Sequence, residues 1–328
     1  MYSMLGGMNM IKIALIQLNN YYSNQNEACN KATEYIEEAA KHGATLAILP
    51  ELSNSGYIPN QSIWKFAENR NGKTKTWATK LSKKLNIFIG AGYIETDGND
   101  FYNAYLISNP NGEVDGVIYK EDAESYCFKR ENGKLFIDTT IGRIGVGICA
   151  DNHYIDRLKR IKNENIDIML MPHANPMPYR TTKQISKKDL ELFDKQPFVI
   201  ARTYSKYLGV PTIYVNAVGT FPKFSGGIGV KNFNKDFRLM GGSLAVDNEG
   251  VLIEKMNDKE NMSIVEVSLE KNDSKTIDPI IYHKKWLHPG NRLFRSFVLP
   301  YVTNKGIKNY HKNAKIYLQG VEKPERND

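Results

Sequence analysis

Residues 11–18 read IKIALIQL, a run in which both alternating sets of positions are largely apolar. A strand of this kind has no face to offer water, so it belongs in a sheet covered on both sides. The next segment is helical. Ala28, Ala32, Tyr35, Ile36, Ala39 and Ala40 repeat at helical spacing, Asn26 is placed to cap the start, and Gly43 suits the stop. A short apolar strand at 46–49 is then cut by Pro50.

The alternation continues along the chain. Residues 74–85 predict a helix with Trp77, Ala78, Leu81 and Leu85 on one face, and 87–94 a strand. Strands at 102–107 and 114–119 flank Asn111-Gly112, a strong hairpin signal. Further strands are expected at 144–149, 166–171 and 212–216, with helices at 154–163 and within 186–207. A second hairpin spans 243–254 about Asp247 to Gly250, and the last strand is 264–267. Strands, helices and hairpins mix without a compositional break. This predicts one α/β domain over residues 10–270 and a C-terminal arm over 271–328.

Composition bounds the function classes. With 41% hydrophobic residues the 328-residue chain can build a sizeable core. No apolar stretch is long enough to cross a bilayer, and Met1 to Gly7 lack the basic start and apolar run of a signal peptide. The net charge of +8 comes from scattered lysines, densest at Lys305, Lys308, Lys312 and Lys315, and reads as a solvated tail. No zinc-finger, RRM or helix-turn-helix pattern points to nucleic acid. Three cysteines, Cys29, Cys127 and Cys149, form neither a disulfide framework nor a metal-ligand spacing, so the expectation is a reducing cytoplasm and no metal. A GxGxxG fingerprint after the first strand is missing, and no cofactor is implied.

Three ionisable side chains share one property: each closes an apolar strand. Glu51 follows LAILP, Lys120 follows VIY, and Cys149 ends RIGVGIC. Strand carboxyl ends are where α/β sheets gather ligands. A free thiol, with a pKa of about 8.5, is only a few per cent ionised at neutral pH. A carboxylate whose pKa is raised by burial can take its proton during attack, and an ammonium can hold the resulting oxyanion. The backbone N–H of Ala150 would be a second oxyanion donor.

The ordered segments LPELSNSGY (49–57), VIYK (117–120) and GRIGVGICAD (142–151) resemble the nitrilase superfamily of carbon–nitrogen hydrolases. IDIMLMP (166–172), GVPTIYVNAVG (209–219) and GGSLAVDNEGVL (241–252) extend the resemblance to about residues 10–268. It implies a four-layer αββα sandwich with two mixed β-sheets, and association into homo-oligomers, with the arm as an element that crosses the interface. It also implies Glu51 as general base, Lys120 as stabilising cation and Cys149 as acylated nucleophile. A second glutamate is expected after the lysine. Glu124, with Phe128 four residues on, is the choice and Glu121 the rival. The stretch KEDAESY departs from the family's usual continuation.

Tyr57, His153, His173 and Asn175 are candidate pocket walls because they sit on loops at the same rim. His153 and His173 lack a paired carboxylate spacing, which argues against a metal. Asp151 fixes the turn after the nucleophile in this reading. By the same resemblance CAD leans toward amide rather than nitrile substrates, and the expected substrate is a small linear amide or N-carbamoyl compound. A nitrilase or an acyltransferase would use the same residues, and a scaffold without turnover is the alternative from another class.

Overall fold

In the computed structural model, which describes residues 10–22, 24–183, 185–222, 236–272 and 276–320, the first strand has neighbours on both sides. β1 (Met10–Gln17) pairs antiparallel with β15 (Asn261–Ser268) and parallel with β2 (Leu46–Ile48). β3 (Phe88–Thr96), β4 (Phe101–Ser108) and β5 (Val114–Tyr119) complete a six-stranded sheet in the order β15-β1-β2-β3-β4-β5. A second six-stranded sheet is built from β6 (Phe136–Thr139), β7 (Gly142–Val146), β8 (Ile168–His173), β10 (Thr212–Asn216), β13 (Leu244–Val246) and β14 (Leu252–Lys255), in the order β14-β13-β10-β8-β7-β6.

The period-2 pattern of β1 explains the layering. Ile11, Ile13 and Leu15 pack with Ile144, Val146, Ile168, Leu170 and Ile213 of the second sheet, which makes the inter-sheet core. Ala14 and Ile16 point the other way, onto Ala32, Ile36 and Ala39 of α1 (Gln25–Lys41) and Ala78 and Leu81 of α2 (Lys73–Leu85). The outer face of the second sheet is covered in the same way by α3 (Ile155–Lys162) and α4 (Lys187–Leu208), through Leu158, Ile161, Ile200 and Tyr204. The result is the expected αββα sandwich. Each fully buried Ile or Leu contributes about 1.5–3 kcal/mol relative to exposure, which is why the register of a two-faced strand is so strongly fixed.

Several boundaries differ from the sequence expectation. The cap of α1 is Asn24, whose side chain accepts from Glu27 N–H, and Asn26 lies inside the first turn. β7 ends at Val146 rather than at Cys149, because the chain turns into a 3₁₀ segment, Cys149–His153. A small sheet of β9 (Pro176–Pro178), β11 (Val218–Gly219) and β12 (Phe237–Met240) was not legible in the short apolar pieces that form it. The arm contains a helix, α5 (Leu299–Gly320), that returns to its own domain. Tyr310 and Ala314 join Trp64, Phe101, Cys127 and Phe128 in a fourth apolar cluster, and Tyr310 OH donates to Asp100 while accepting from Phe101 N–H. Lys305, Lys308, Lys312 and Lys315 lie on its exposed side, as a solvated basic stretch should.

Candidate active site

The chain leaves β2, β5 and β7 toward one place. At the exit of β2, Tyr105 OH donates to Leu49 O at 2.9 Å, and Leu52 sits at a left-handed φ of 51°. Between them, Glu51 is 2% exposed. Its Oε1 accepts from Asn103 Nδ2 at 2.7 Å and from Lys120 Nζ at 2.6 Å, and its Oε2 accepts from Ala174 N–H at 2.9 Å. Both carboxylate oxygens are therefore held, which fixes the side chain in one orientation.

Lys120 follows β5 directly, and its backbone N–H donates to Asn103 O at 2.9 Å. Its Nζ bridges two carboxylates, Glu51 at 2.6 Å and Glu124 Oε1 at 2.8 Å. Burial disfavours its charge, but Glu124 and Glu51 outweigh that and hold the ammonium on well above the usual lysine range. Of the two glutamates left open by sequence, Glu124 is the one that reaches Lys120. Glu121 instead pairs with Arg157 at 2.8 Å and with Arg160.

Cys149 opens that turn at φ 48°, a conformation that costs a non-glycine residue about 1–2 kcal/mol. Asp151 latches it. One carboxylate oxygen accepts from Ile148 N–H at 3.3 Å and Glu121 N–H at 3.4 Å, the other from Asp122 N–H at 2.7 Å. Arg157 Nη2 donates to Val146 O at 2.7 Å from behind. The thiol lies in the field of Glu51, Lys120 and Glu124. Burial pushes it well above the usual cysteine range; Glu51 adds to that, while Lys120 and the Ala174 N–H pull it back. Glu51's own carboxyl is also raised, by burial first, with Lys120 opposing and Glu124 reinforcing. A thiol in the field of a carboxylate whose own pKa is raised and of an ammonium can serve attack on an electrophilic carbon, with the proton moving at the moment of attack.

The remaining candidates divide. Tyr57 is 6% exposed and donates from its OH to Glu124 Oε1 at 3.3 Å, so it belongs to the cluster. Ala150 comes directly after Cys149 within the turn and is partly exposed. His153 ends the turn. His173 is fully buried, with Nδ1 against Met171 O at 2.9 Å and its ring 4.0 Å from that of Tyr214. Asn175 donates its backbone N–H to Asn216 Oδ1 at 3.0 Å. Sequence reasoning missed Asn103 and Ala174. Asn103 left one signal, a lone amide inside the apolar strand FYNAYLIS; Ala174 acts through its backbone and left none.

A cavity of about 160 Å³ opens elsewhere, on the outer face of the first sheet near Cys29, Leu49, Asn54 and Trp77, and none of the trio borders it. Among the described residues no group of His, Cys, Asp and Glu is arranged to hold a metal ion, and no helix is long and apolar enough to cross a membrane.

The geometry can be set beside known proteins. A nitrilase of Pyrococcus abyssi is 28% identical over 176 residues, covering 52% of this chain and 67% of that protein. The chain spans about half to two thirds of the length of the first curated relatives it matches. Among solved structures, a carbon–nitrogen hydrolase from Helicobacter pylori G27 superposes with a TM-score of 0.71 at 20% identity, over 80% of this chain and 90% of that one. An amidase from Nesterenkonia sp. AN1, solved with the acetamide moiety of fluoroacetamide added covalently at its active-site cysteine, gives a TM-score of 0.64 at 14% identity, over 82% of this chain and 94% of that one. The model of the carbon-nitrogen hydrolase family matches residues 12–274, so the chain belongs to that family within the nitrilase superfamily.

Proposed function

We propose that this enzyme hydrolyses a small linear amide or N-carbamoyl compound through a thioester on Cys149. The observation that carries the reading is the buried Glu51–Lys120–Glu124 chain, 2.6 and 2.8 Å across the ammonium, with the Cys149 thiol in its field. The Nesterenkonia amidase, with its covalent adduct on cysteine, supports the same assignment on the same fold.

In this scheme Cys149 Sγ attacks the carbonyl carbon, and Glu51 takes the thiol proton. Lys120 and the Ala150 N–H stabilise the oxyanion. Glu51 then passes the proton to the departing nitrogen, the C–N bond breaks, and ammonia or an amine leaves. Water attacks the thioester with Glu51 again as base, which releases the acid and restores the thiol. Glu124, steadied by Tyr57, holds Lys120 and orients the substrate or the water.

Mass spectrometry of wild-type protein mixed with a panel of amides, ureides and nitriles is the test. The expected result is ammonia release together with an acyl adduct on Cys149, both absent in Cys149→Ala. Turnover that survives in the alanine variant overturns the scheme, and release from nitriles alone would replace the amide reading by a nitrilase one.

Assembly and location belong to the same proposal. Exposed Ile277, Ile280, Leu293 and Phe297 on the arm are 54–71% accessible, an apolar surface suited to a second copy of the chain. Sedimentation of the purified protein tests this. Three free cysteines suit a reducing cytoplasm.

A further inference from the structure

The cavity of about 160 Å³ on the outer face of the first sheet has a wall drawn from three elements. α1 supplies Ala28, Cys29 and Ala32, α2 supplies Trp77, and the loop that carries Glu51 supplies Leu49 and Asn54. Trp77 spends its indole N–H on Thr33 Oγ1 at 2.9 Å, so it enters the wall as an apolar ring. Glu68 and Lys73 also border the space, one charge of each sign, which suits a neutral occupant. A void of about 150 Å³ is enough to hold one benzene ring.

One polar atom in this wall is unspent. Asn54 Nδ2 donates to Glu68 Oε1 at 3.2 Å and to Thr74 Oγ1 at 3.1 Å, and Thr74 Oγ1 donates in turn to Glu68 Oε1 at 2.8 Å. An ionised carboxylate only accepts, so turning the amide round would set its oxygen against another acceptor. Asn54 Oδ1 is therefore the free end: buried, and without a hydrogen-bond partner among the described residues. Buried polar atoms are nearly always paired, with protein or with something bound. The same loop is pinned on its other side, where Ser53 Oγ donates to Gly92 O at 3.1 Å and accepts from Gly92 N–H at 3.2 Å. A Cβ on Gly92 would strike Leu52 N and Pro50 O, so the loop lies on β3 without slack. Leu49 and Asn54, which bracket Glu51, border the cavity instead.

We propose that this cavity is a second binding site, for one small neutral molecule with an aromatic body and a single O–H or N–H donor, and that its occupant braces the Glu51 loop from behind. The donor goes to Asn54 Oδ1, and the ring lies against Trp77, Ala28 and Ala32. Binding is independent of the chemistry at Cys149; only the effect on turnover rests on the reading of Glu51 as base.

The test compares phenol with toluene, molecules of equal heavy-atom count that differ in the donor. By calorimetry on Cys149→Ala protein, phenol should bind at least tenfold more tightly than toluene, as one satisfied buried acceptor allows. Cys29→Phe, added in that background, fills the cavity from α1 and should weaken phenol binding at least tenfold. A measurement that needs no filled cavity stands beside it: phenol should slow iodoacetamide labelling of Cys29 at least threefold and leave Cys127 unchanged. Equal affinities for the two probes, phenol binding indifferent to Cys29→Phe, or Cys29 labelling indifferent to phenol overturn the site and leave a water-filled notch. In wild type, phenol should slow the loss of turnover in mild urea at least twofold. Phenol binding with no such protection overturns the brace. Turnover surviving in Glu51→Gln overturns the reading of the base alone.

Discussion

Gly306 of α5 lies against the Ser125 side chain, so closely that a Cβ on the glycine would collide with Ser125 Oγ. Ser125 is the neighbour of Glu124, so the last helix of the chain rests on the loop that carries the second glutamate. Gly306→Val should push that loop away from Lys120. The expected outcome is a destabilisation of about 1–3 kcal/mol, as overpacking usually costs, and a loss of turnover of at least tenfold. Gly320→Ala, at an open position, is the control. Urea unfolding and steady-state rates check both.

Charge balance in the cluster predicts an order of stabilities. Lys120→Met leaves Glu51 and Glu124 facing each other in a buried site without their cation, which should cost about 3–5 kcal/mol. Glu51→Gln leaves the Lys120–Glu124 pair intact and should cost less, on the order of 1–2 kcal/mol. Both variants should lose turnover. Equal or reversed unfolding midpoints in urea would show that the three charges are not coupled as described.

Acid should loosen the fold through two histidines. Burial holds His173 and His288 down to about 3, against 6.5 in an unfolded chain. The unfolded state therefore takes up protons first, and the stability these groups allow is full above pH 6.5 and lost as pH falls toward 3. By pH 5 each should have cost about 2 kcal/mol. The raised carboxyls of Glu51 and Asp151 act in the opposite sense, so the difference between wild type and His288→Gln isolates one histidine. That difference should shrink between pH 7 and pH 5; a gap independent of pH would contradict it.

Thiol reactivity should depend on the neighbouring base. Iodoacetamide is expected to label Cys149 faster than Cys29 or Cys127 at neutral pH, despite a thiol raised by burial, on the proposed scheme in which Glu51 accepts the proton during attack. Glu51→Gln should slow Cys149 labelling at least tenfold and leave Cys29 as it was. Peptide mapping of the labelled protein reads both rates, and a rate at Cys149 indifferent to Glu51 would remove the glutamate from its role as base.

Much of this was legible in the chain itself. Glu51, Lys120 and Cys149 stand out as candidates because each interrupts an apolar run at its end, where a charged or reactive group has no packing reason to be. The two-layer core can be inferred from β1 alone. Other parts could not be read. Ala174 contributes an N–H, which no side-chain pattern encodes. Leu287 and His288 meet the turn at Cys149–His153 across more than a hundred residues, and local periodicity carries no trace of such pairing. α5 escaped because its buried stripe is narrow, Gly306, Tyr310 and Ala314, and two of those three residues are small. Asn24 displaced Asn26 as cap because the helix starts one turn earlier than its apolar spacing.

Leu52 and Cys149, at φ 51° and 48°, stand next to Glu51 and at the proposed nucleophile, each in a backbone region that a relaxed chain abandons. The surrounding sandwich must therefore keep both exits bent, and the reactive geometry is the least self-sufficient part of the molecule. Under mild denaturant, turnover would vanish while most of the sheet signal in circular dichroism is still present, so catalysis reports the integrity of this protein sooner than its secondary structure does.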